Sequence, residues 1–538
     1  MDLKYFLALL TGVLECLLFS GILFGWASLN YVLQQDGYFS NLCDESNQTY
    51  PHNVSKSSNN IVPTASALSY NATALLDVEG ISSYNGFNTK EPTKQIHEEN
   101  LGQIITCDAQ SEQLNLVFTI ASSLLSFSTL INGYIYDKFG TWVSRVISIT
   151  LFTIGCLLMI VSNVESSWLL FPAMTCFAIG GILMLMTNLQ IGNLFGRFRS
   201  SVITMMSGAL DSSSFVFLMY KMLYDEGVSL NTIFHVTAWC TIFLWVRTFI
   251  LLPRNHIPFP IKKDYQFGLA DCKSRKKELE IIEMKENQEV EALTELTNEN
   301  QESTFAGPAS FYIKKGLYWS NTMHFSLLQL RNYFFMSSLV NWLTPLTGDS
   351  NTLNSYLVAF GTCQLFGVVF APFNGLLIDA ATRILRKNAK FPDLVPLKAV
   401  SFSALATTLL GTLFSIVIVI PSLPLQYVSF ILQVIFRSFL YGGSMSFIAI
   451  AFPGQHFGKL YGLTMCVGGL FGLLQFPLFA FVLRKMDGDF FIMNIMFVFI
   501  SLLTLFHPIR IYMWCKQKAK KYEKSIVNKT EEETDKKS

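Results

Sequence analysis

Four charged side chains lie near the centres of long apolar stretches of this sequence: Glu15, Asp211, Arg331 and Arg437. If those stretches cross a membrane, each charge costs roughly 2.5–3.5 kcal/mol to insert, so each should face the protein interior and have a partner. The two acids and two bases could neutralise one another as structural ion pairs, or they could contact a bound substrate. Glu15 could also carry a proton. The sequence leaves these roles and the identity of the pairs open.

Uncharged polar side chains accompany these charges in the same or other apolar stretches. The candidates are Ser212, Gln329, Asn332, Gln364, Gln433 and Gln475, with Phe19 as an aromatic candidate. Amides and hydroxyls beside aromatic rings suit a flat, uncharged ligand, since the rings stack on its faces and the amides bond its edge. Taken singly, each Gln or Ser is better explained by an interhelical hydrogen bond, and Phe19 by packing.

The sequence lacks the patterns of several other chemistries. The seven histidines and ten cysteines form no metal-binding or nucleophile–base pattern, and no G-x-x-x-x-G-K-[ST] phosphate-binding loop occurs. These features argue against an enzyme and against a nucleotide-driven pump, and no cofactor or metal is expected. The net charge of +1 argues against a nucleic-acid partner.

The elements that must position the candidates are apolar. Hydrophobic residues make up 51% of the 538 positions and charged residues only 14%, far from the usual soluble composition. Twelve runs reach the length of roughly 20 residues that crosses the hydrocarbon layer. They predict helices at Tyr5–Leu29, Glu112–Tyr134, Trp142–Ser162, Trp168–Gln190, Ser201–Tyr220, Thr232–Leu252, Asn321–Leu343, Leu353–Ile378, Leu397–Ile420, Leu423–Ala449, Lys459–Leu483 and Asp489–Met513. The sequence therefore predicts an all-α protein embedded in a lipid bilayer.

A charged polar segment at residues 253–320 divides the predicted spans into two sets. Six spans precede it in residues 1–252, six follow it in residues 321–513, and a lysine-rich tail occupies residues 514–538. Basic residues mark the cytoplasmic side of a membrane protein. They concentrate in the central segment, in the tail and in short loops on the same side, and Arg145 is assigned to one of these loops. Both termini and the central segment are therefore predicted to be cytoplasmic.

Residues 31–110 form a long predicted loop on the opposite, extracellular side. The loop contains three clustered sequons for N-glycosylation, at Asn47, Asn53 and Asn71. This cluster supports the extracellular assignment independently of the basic residues. Cys43 and Cys107 bracket the loop in an oxidising location, where they could form a disulfide or remain free thiols.

A short motif occurs once in each half. Its first copy contains Gly133, Asp137, Lys138 and Gly140, and its second copy keeps Gly375 and Asp379, 242 residues later. The glycine lets two helices turn tightly, and the aspartate can pair with bases or helix N-termini at a cytoplasmic gate. The repeat resembles the G-x-x-x-D-[RK]-x-G loop of the major facilitator superfamily. In that fold, two six-helix halves rock around a site at the membrane midplane.

Longer segments of the sequence resemble one particular family within this superfamily. The segments GALDSSS, FRSFLYG and FPGQHFGKLYGL resemble those of solute carrier family 43, and the resemblance extends over all twelve spans. The family implies one of two substrate classes, large neutral amino acids or purine nucleobases. FRSFLYG, FPGQHFGKLYGL and APFNGLLID are more similar to the nucleobase branch, whereas Arg331 departs from the pattern of that branch.

The resemblance implies a facilitative carrier of purine nucleobases such as adenine, guanine and hypoxanthine in the plasma membrane. Such a carrier would work by alternating access, without covalent chemistry, and as a monomer. The alternative is a sodium-independent uniporter of large neutral amino acids. In that case Glu15 or Asp211 would hold the ammonium group, and Arg331 or Arg437 the carboxylate.

Overall fold

The computed structural model describes residues 3–43, 107–253, 257, 309–387, 389–452 and 456–535. The predicted glycosylation sites Asn47, Asn53 and Asn71 lie outside these residues, as does most of the central segment 253–320. All regular secondary structure in the described part of the chain is helical.

Residues 3–253 form the N-terminal set of helices. These are α1 (Leu3–Glu15), α2 (Trp26–Gln35), α3 (Asp108–Val161), α4 (Leu170–Leu189), α5 (Arg199–Ser212), α6 (Phe215–Asp225) and α7 (Leu230–Ile250). The C-terminal set is α8 (Ala309–Ile313), α9 (Gly316–Thr347), α10 (Ser350–Gln364), α11 (Gly367–Arg386), α12 (Val395–Val419), α13 (Leu423–Ala451), α14 (Phe457–Gly472), α15 (Gln475–Lys485), α16 (Phe491–Leu503) and α17 (Phe506–Asp535). Five spans are built from two consecutive helices: α1 with α2, α5 with α6, α10 with α11, α14 with α15, and α16 with α17.

The described helices match the predicted spans. Nine of them are long and apolar enough to cross a membrane, or ten when the bent pair of α1 and α2 counts as one span. Helix α3, at 54 residues, contains the second and third predicted spans, which Gly140 divides with a non-helical φ of 77°. Helix α9, and α10 together with α11, coincide with the seventh and eighth predictions. Each of the twelve predictions therefore coincides with a helix or a helix pair, and the all-α membrane fold is confirmed.

The first span is broken near its middle and bends by 50°. A π-helical turn at Cys16–Ser20 and a 3-10 turn at Ile22–Gly25 join α1 to α2. A Cβ atom at Gly21 or Gly25 would overlap a backbone carbonyl oxygen of the fifth span. The absence of side chains at these glycines lets the two spans approach closely.

One helix end differs from its prediction. The sequence predicts that the last span ends at Met513, whereas α17 continues to Asp535. Apolarity sets the length of a span but not the length of a helix. The residues that follow Met513 include many Lys and several Glu, which are good helix formers and extend the helix beyond the apolar run.

The two sets of helices contact each other through particular pairs. Helix α3 packs against α14 and α15, α5 against α11, α6 against α10, and α2 against α9. Side chains on these faces therefore surround the space between the halves, where a carrier of this architecture would hold its substrate.

Two faces of the bundle are distinguished by their features. Cys43 and Cys107 form a disulfide, with their Cα atoms 5.8 Å apart, and the end that carries it is here named the disulfide face. The opposite end, which carries the repeated motif, is named the motif face. Asp137 and Asp379 of the motif are exposed, and neither forms an ion pair with a side chain that the structure describes. The gating role predicted for the motif thus remains a prediction.

Some polar contacts between the halves lie toward the disulfide face. Arg484 on α15 forms an ion pair with Glu112 on α3, with Nε donating to Oε1 at 2.6 Å. Asn354 on α10 donates to Asp225 on α6 at 3.2 Å, and Lys221 contacts both of these side chains. These contacts join the two halves near the disulfide face.

Candidate substrate site between the two halves

An ion pair crosses the space between the halves at mid-span. Asp211 on α5 and Arg437 on α13 lie 2.9 Å apart, measured from Oδ1 to Nη2. Arg437 is 1% exposed and Asp211 8%, so both charges are largely removed from solvent. The Cζ atom of Arg437 lies 4.0 Å from the ring centroid of Phe24, in the broken first span. Nε and Nη1 of Arg437 have no hydrogen-bond partner among the described residues.

Aromatic side chains continue the site from Phe24 into the C-terminal half. The ring centroids of Phe24 and Tyr333 are 6.4 Å apart, and those of Phe118 and Tyr333 are 6.2 Å apart. The hydroxyl oxygen of Tyr333 lies 3.4 Å from Ser126 Oγ and 3.4 Å from the Tyr441 hydroxyl oxygen. Tyr333, on α9, therefore connects with both halves.

Two glutamines of the C-terminal half reach serines on α3. Gln329 donates from Nε2 to Ser126 Oγ at 3.1 Å, and Gln475 donates to Ser122 Oγ at 3.0 Å. The Oε1 atoms of both glutamines are buried and have no partner among the described residues. A buried polar atom without a partner costs about 1–3 kcal/mol. A ligand or water that donates to these acceptors would remove that cost.

Three other amide candidates are already paired with one another. Gln364 donates to Gln433 at 2.9 Å, and Gln433 donates to Asn332 at 2.9 Å. All three are buried, and they tie together α10, α13 and α9. This arrangement has the form of the interhelical hydrogen bonds that the sequence offered as the simpler explanation.

Ser212 connects α5 to the break between α10 and α11. Its hydroxyl donates to the carbonyl oxygen of Leu365 at 2.8 Å and accepts from the backbone N–H of Val368 at 2.9 Å. The side chain thus satisfies backbone groups that the helix break leaves free. Ser212 holds the two halves together directly beside Asp211.

Glu15 is part of a separate cluster within the N-terminal half. Its carboxylate accepts hydrogen bonds from Arg145, at 2.8 Å for the Nη2–Oε2 pair, and from Asn188 at 3.1 Å. Arg247 forms a second ion pair with the same carboxylate. The assignment of Arg145 to a loop was wrong, because this arginine is fully buried on α3. Phe19, close by in the chain, packs its ring edge-on against Phe152 at a centroid distance of 5.3 Å.

The side chain of Arg331 contacts residues of its own, C-terminal half. Its Nε donates to Ser415 Oγ at 3.1 Å, and its Cζ lies 5.0 Å and 5.1 Å from the ring centroids of Phe414 and Phe497. Among the described side chains it forms no ion pair, although it is 1% exposed. The four charges therefore do not form two ion pairs with one another: Asp211 pairs with Arg437, whereas the polar partner of Arg331 among the described side chains is Ser415. Two aromatic faces supply part of the missing stabilisation, at about 0.5–2 kcal/mol.

Sequence reasoning missed several residues of this site. These are Phe24, Phe118, Ser122, Ser126, Tyr333 and Tyr441. The two serines could have been predicted from the sequence, since their spacing of four residues places them on one face of an apolar helix. The aromatic residues could not, because phenylalanine and tyrosine recur throughout these spans.

Comparison with known proteins defines the class first. Residues 95–390 match the family described as Major Facilitator Superfamily. The fold is similar to that of a peptide transporter POT mutant in complex with sulfate, with a TM-score of 0.51 and 14% identity over 74% of this chain and 86% of that chain. A family match of this extent identifies a multi-pass membrane transporter of this superfamily and not an enzyme.

Curated relatives narrow the class. The chain is 37% identical to "Equilibrative nucleobase transporter 1" of Bos taurus over 95% of its length and 96% of the relative. It is 26% identical to "Large neutral amino acids transporter small subunit 3" of Mus musculus, over 96% of this chain and 95% of that protein. The protein belongs to solute carrier family 43, as its motifs had indicated.

Proposed function

We propose that this protein carries nucleobases, and that its substrates are purine bases such as adenine, guanine and hypoxanthine. The main support is the set of unpaired polar atoms between the halves, with donors on Arg437 and acceptors on Gln329 and Gln475. A purine presents both donors and acceptors on its edge, and its faces can stack on the rings of Phe24 and Tyr333. The 37% identity to a nucleobase transporter supports the same substrate class.

The charges at the site favour an uncharged ligand. Asp211 and Arg437 neutralise each other, so a neutral base can bind beside them without separating a buried ion pair. A zwitterionic amino acid would have to compete with this pair. The other two midplane charges are no better placed to bind the charged groups of an amino acid. Glu15 is held by two arginines, and Arg331 contacts residues of its own half. The relation to amino-acid transporters keeps that class as the second candidate.

Transport by alternating access would use the contacts between the halves. Residues 1–252 and 321–513 would rock as two units around the Asp211–Arg437 level, and a single copy of the chain would contain the complete site. The ion pair of Glu112 with Arg484 would close one side and would break to admit substrate. We infer that no covalent step is involved and that transport is equilibrative and independent of sodium, as the similarity to an equilibrative nucleobase transporter suggests.

The proposed topology places the disulfide face outside the cell. Residues 31–110 would then be extracellular and glycosylated at Asn47, Asn53 and Asn71, in a protein of the plasma membrane. The segments 253–320 and 514–538 would be cytoplasmic. Treatment of the intact protein with an N-glycosidase should increase its gel mobility, and replacement of all three asparagines by glutamine should abolish that shift.

Initial-rate uptake of radiolabelled adenine, hypoxanthine and leucine by cells expressing the chain tests the substrate class. Adenine uptake that hypoxanthine competes with, unchanged when sodium is replaced by choline, would support the proposal. Cells expressing Tyr333→Leu provide a control with the same spans and a damaged site, once surface expression is matched. Leucine uptake without nucleobase uptake would overturn the proposal in favour of the amino-acid class.

A further inference from the structure

A small cavity lies inside the C-terminal half, apart from the space between the halves. It has a volume of about 10 Å³ and is lined by Asn321, His324, Ala404, Thr407, Leu440, Gly443, Ser444, Phe447 and His507. The lining comes from α9, α12, α13 and α17. A volume of this size holds about one water molecule when two to four polar groups are available to bind it.

The hydrogen bonds around His507 indicate which of its ring nitrogens carries the proton. The Ser320 hydroxyl donates to the carbonyl oxygen of Leu317 at 2.9 Å. His507 Nδ1 lies 2.9 Å from the same hydroxyl oxygen, and we assign Nδ1 as the donor because the hydroxyl hydrogen is already used. In the neutral ring, Nε2 is then an acceptor. Nε2 is buried and has no partner among the described residues.

Ser444 supplies the complementary group. Asn321 donates to Ser444 Oγ at 3.0 Å, so the serine oxygen accepts and its own hydroxyl hydrogen is left to donate. No acceptor for that hydrogen is found among the described residues, and Ser444 and His507 both line the cavity without a hydrogen bond between them. The cavity therefore has an acceptor on one wall and a donor on another. One water can satisfy both.

The corresponding spans of the N-terminal half carry a cluster of a different kind. Glu15, Arg145, Asn188 and Arg247 lie on its first, third, fourth and sixth spans and satisfy one another through ion pairs and hydrogen bonds. His324, Thr408, Ser444 and His507 lie on the equivalent spans of the C-terminal half, where no carboxylate is among the residues that line the cavity. The second cluster therefore has no charge to neutralise.

We propose that this cavity binds one structural water, which accepts from Ser444 and donates to His507 Nε2. The water connects α13, which carries Arg437, to the last span of the C-terminal half. It is a bound component of the fold in every transport cycle, and it does not depend on which substrate the protein carries.

A double-mutant cycle tests the bridge. The variants Ser444→Ala, His507→Phe and the combination are compared by thermal unfolding of the purified full-length protein. Ser444→Ala should lower the Tm by roughly 1 °C, as expected for the loss of about one hydrogen bond in a chain of 538 residues. Ser338→Ala is the matched control, because that buried hydroxyl on α9 donates only to the carbonyl oxygen of Phe334. The combined variant should lose less than the sum of the two single losses, since either change already removes the water.

Two results would overturn the proposal. The first is additivity of the two single changes within error, which would show that no shared molecule couples the side chains. The second is an electron-density or cryo-EM map of the wild-type protein that resolves other buried waters but shows this cavity empty. If His507→Phe does not fold, the map and the comparison of Ser444→Ala with Ser338→Ala still decide the question.

Discussion

Removal of either partner of the Asp211–Arg437 pair should damage the protein far more than removal of both. The two atoms lie 2.9 Å apart, so at an effective dielectric constant of about 20 the charges attract by about 6 kcal/mol. Desolvation offsets part of this attraction, and loss of one partner of a buried pair costs about 3–5 kcal/mol in practice. Asp211→Asn or Arg437→Gln should therefore lower the equilibrium constant for folding by roughly 100-fold or more.

The double variant Asp211→Asn/Arg437→Gln leaves no unpaired charge, and its stability should return to within about 1 kcal/mol of the wild type. The wild type, the two single variants and the double variant are compared by three assays. These are surface biotinylation, thermal unfolding of the solubilised protein and nucleobase uptake. Recovery of folding without recovery of uptake would assign the pair to substrate binding or to gating, whereas recovery of both would assign it to stability alone. Strictly additive losses would refute the reasoning, because they would show that the two charges do not stabilise each other.

Further predictions concern single residues. Arg484→Ala removes an ion pair on the disulfide face and should shift the balance of conformations by up to about fivefold, measured as altered labelling of cysteines introduced between the halves. Tyr333→Phe keeps the ring and should change the substrate KM little, whereas Tyr333→Leu should raise the KM by roughly tenfold or more in uptake assays, as expected for loss of base stacking. Glu15→Gln leaves two buried arginines without a counter-charge and should abolish surface expression on biotinylation, unlike the exposed control Glu165→Gln. Arg331→Met replaces a buried cation that has no acidic partner among the described residues. It should leave the Tm unchanged or raise it by a few degrees, and a large fall would reveal an acidic partner.

The sequence was sufficient for the fold because hydrocarbon imposes a length on every span. Runs of about 20 apolar residues predict helices regardless of their packing, and each predicted span coincides with described helices. Arg145 shows the limit of that reasoning. Near the end of a span, a buried arginine and a loop arginine have similar sequence surroundings, and only the position of Glu15 on a neighbouring helix distinguishes them.

The site was less predictable than the fold. Midplane charge drew attention to Asp211 and Arg437, because such charges must be compensated, and these two side chains form an ion pair. The same rule gave no means of seeing that Glu15 pairs within its own half, or that aromatic faces surround Arg331. Which faces of two helices meet depends on rotation and on breaks such as the one at Gly21. These are properties of the packed protein and are not encoded in the local apolar pattern.

The ion pair that joins the halves at the disulfide face is weak enough to break without an external energy source. In this pair, Glu112–Arg484, the arginine side chain is 67% exposed and the glutamate side chain 8%. A partly exposed ion pair contributes about 0.2–1 kcal/mol, so its loss costs at most about twice the thermal energy. Opening would be strongly disfavoured if the Asp211–Arg437 pair had to separate as well, since that pair is largely buried. A weak ion pair at one face around a neutral centre is therefore compatible with the equilibrative cycle proposed above, in which the substrate gradient alone would set the direction of transport.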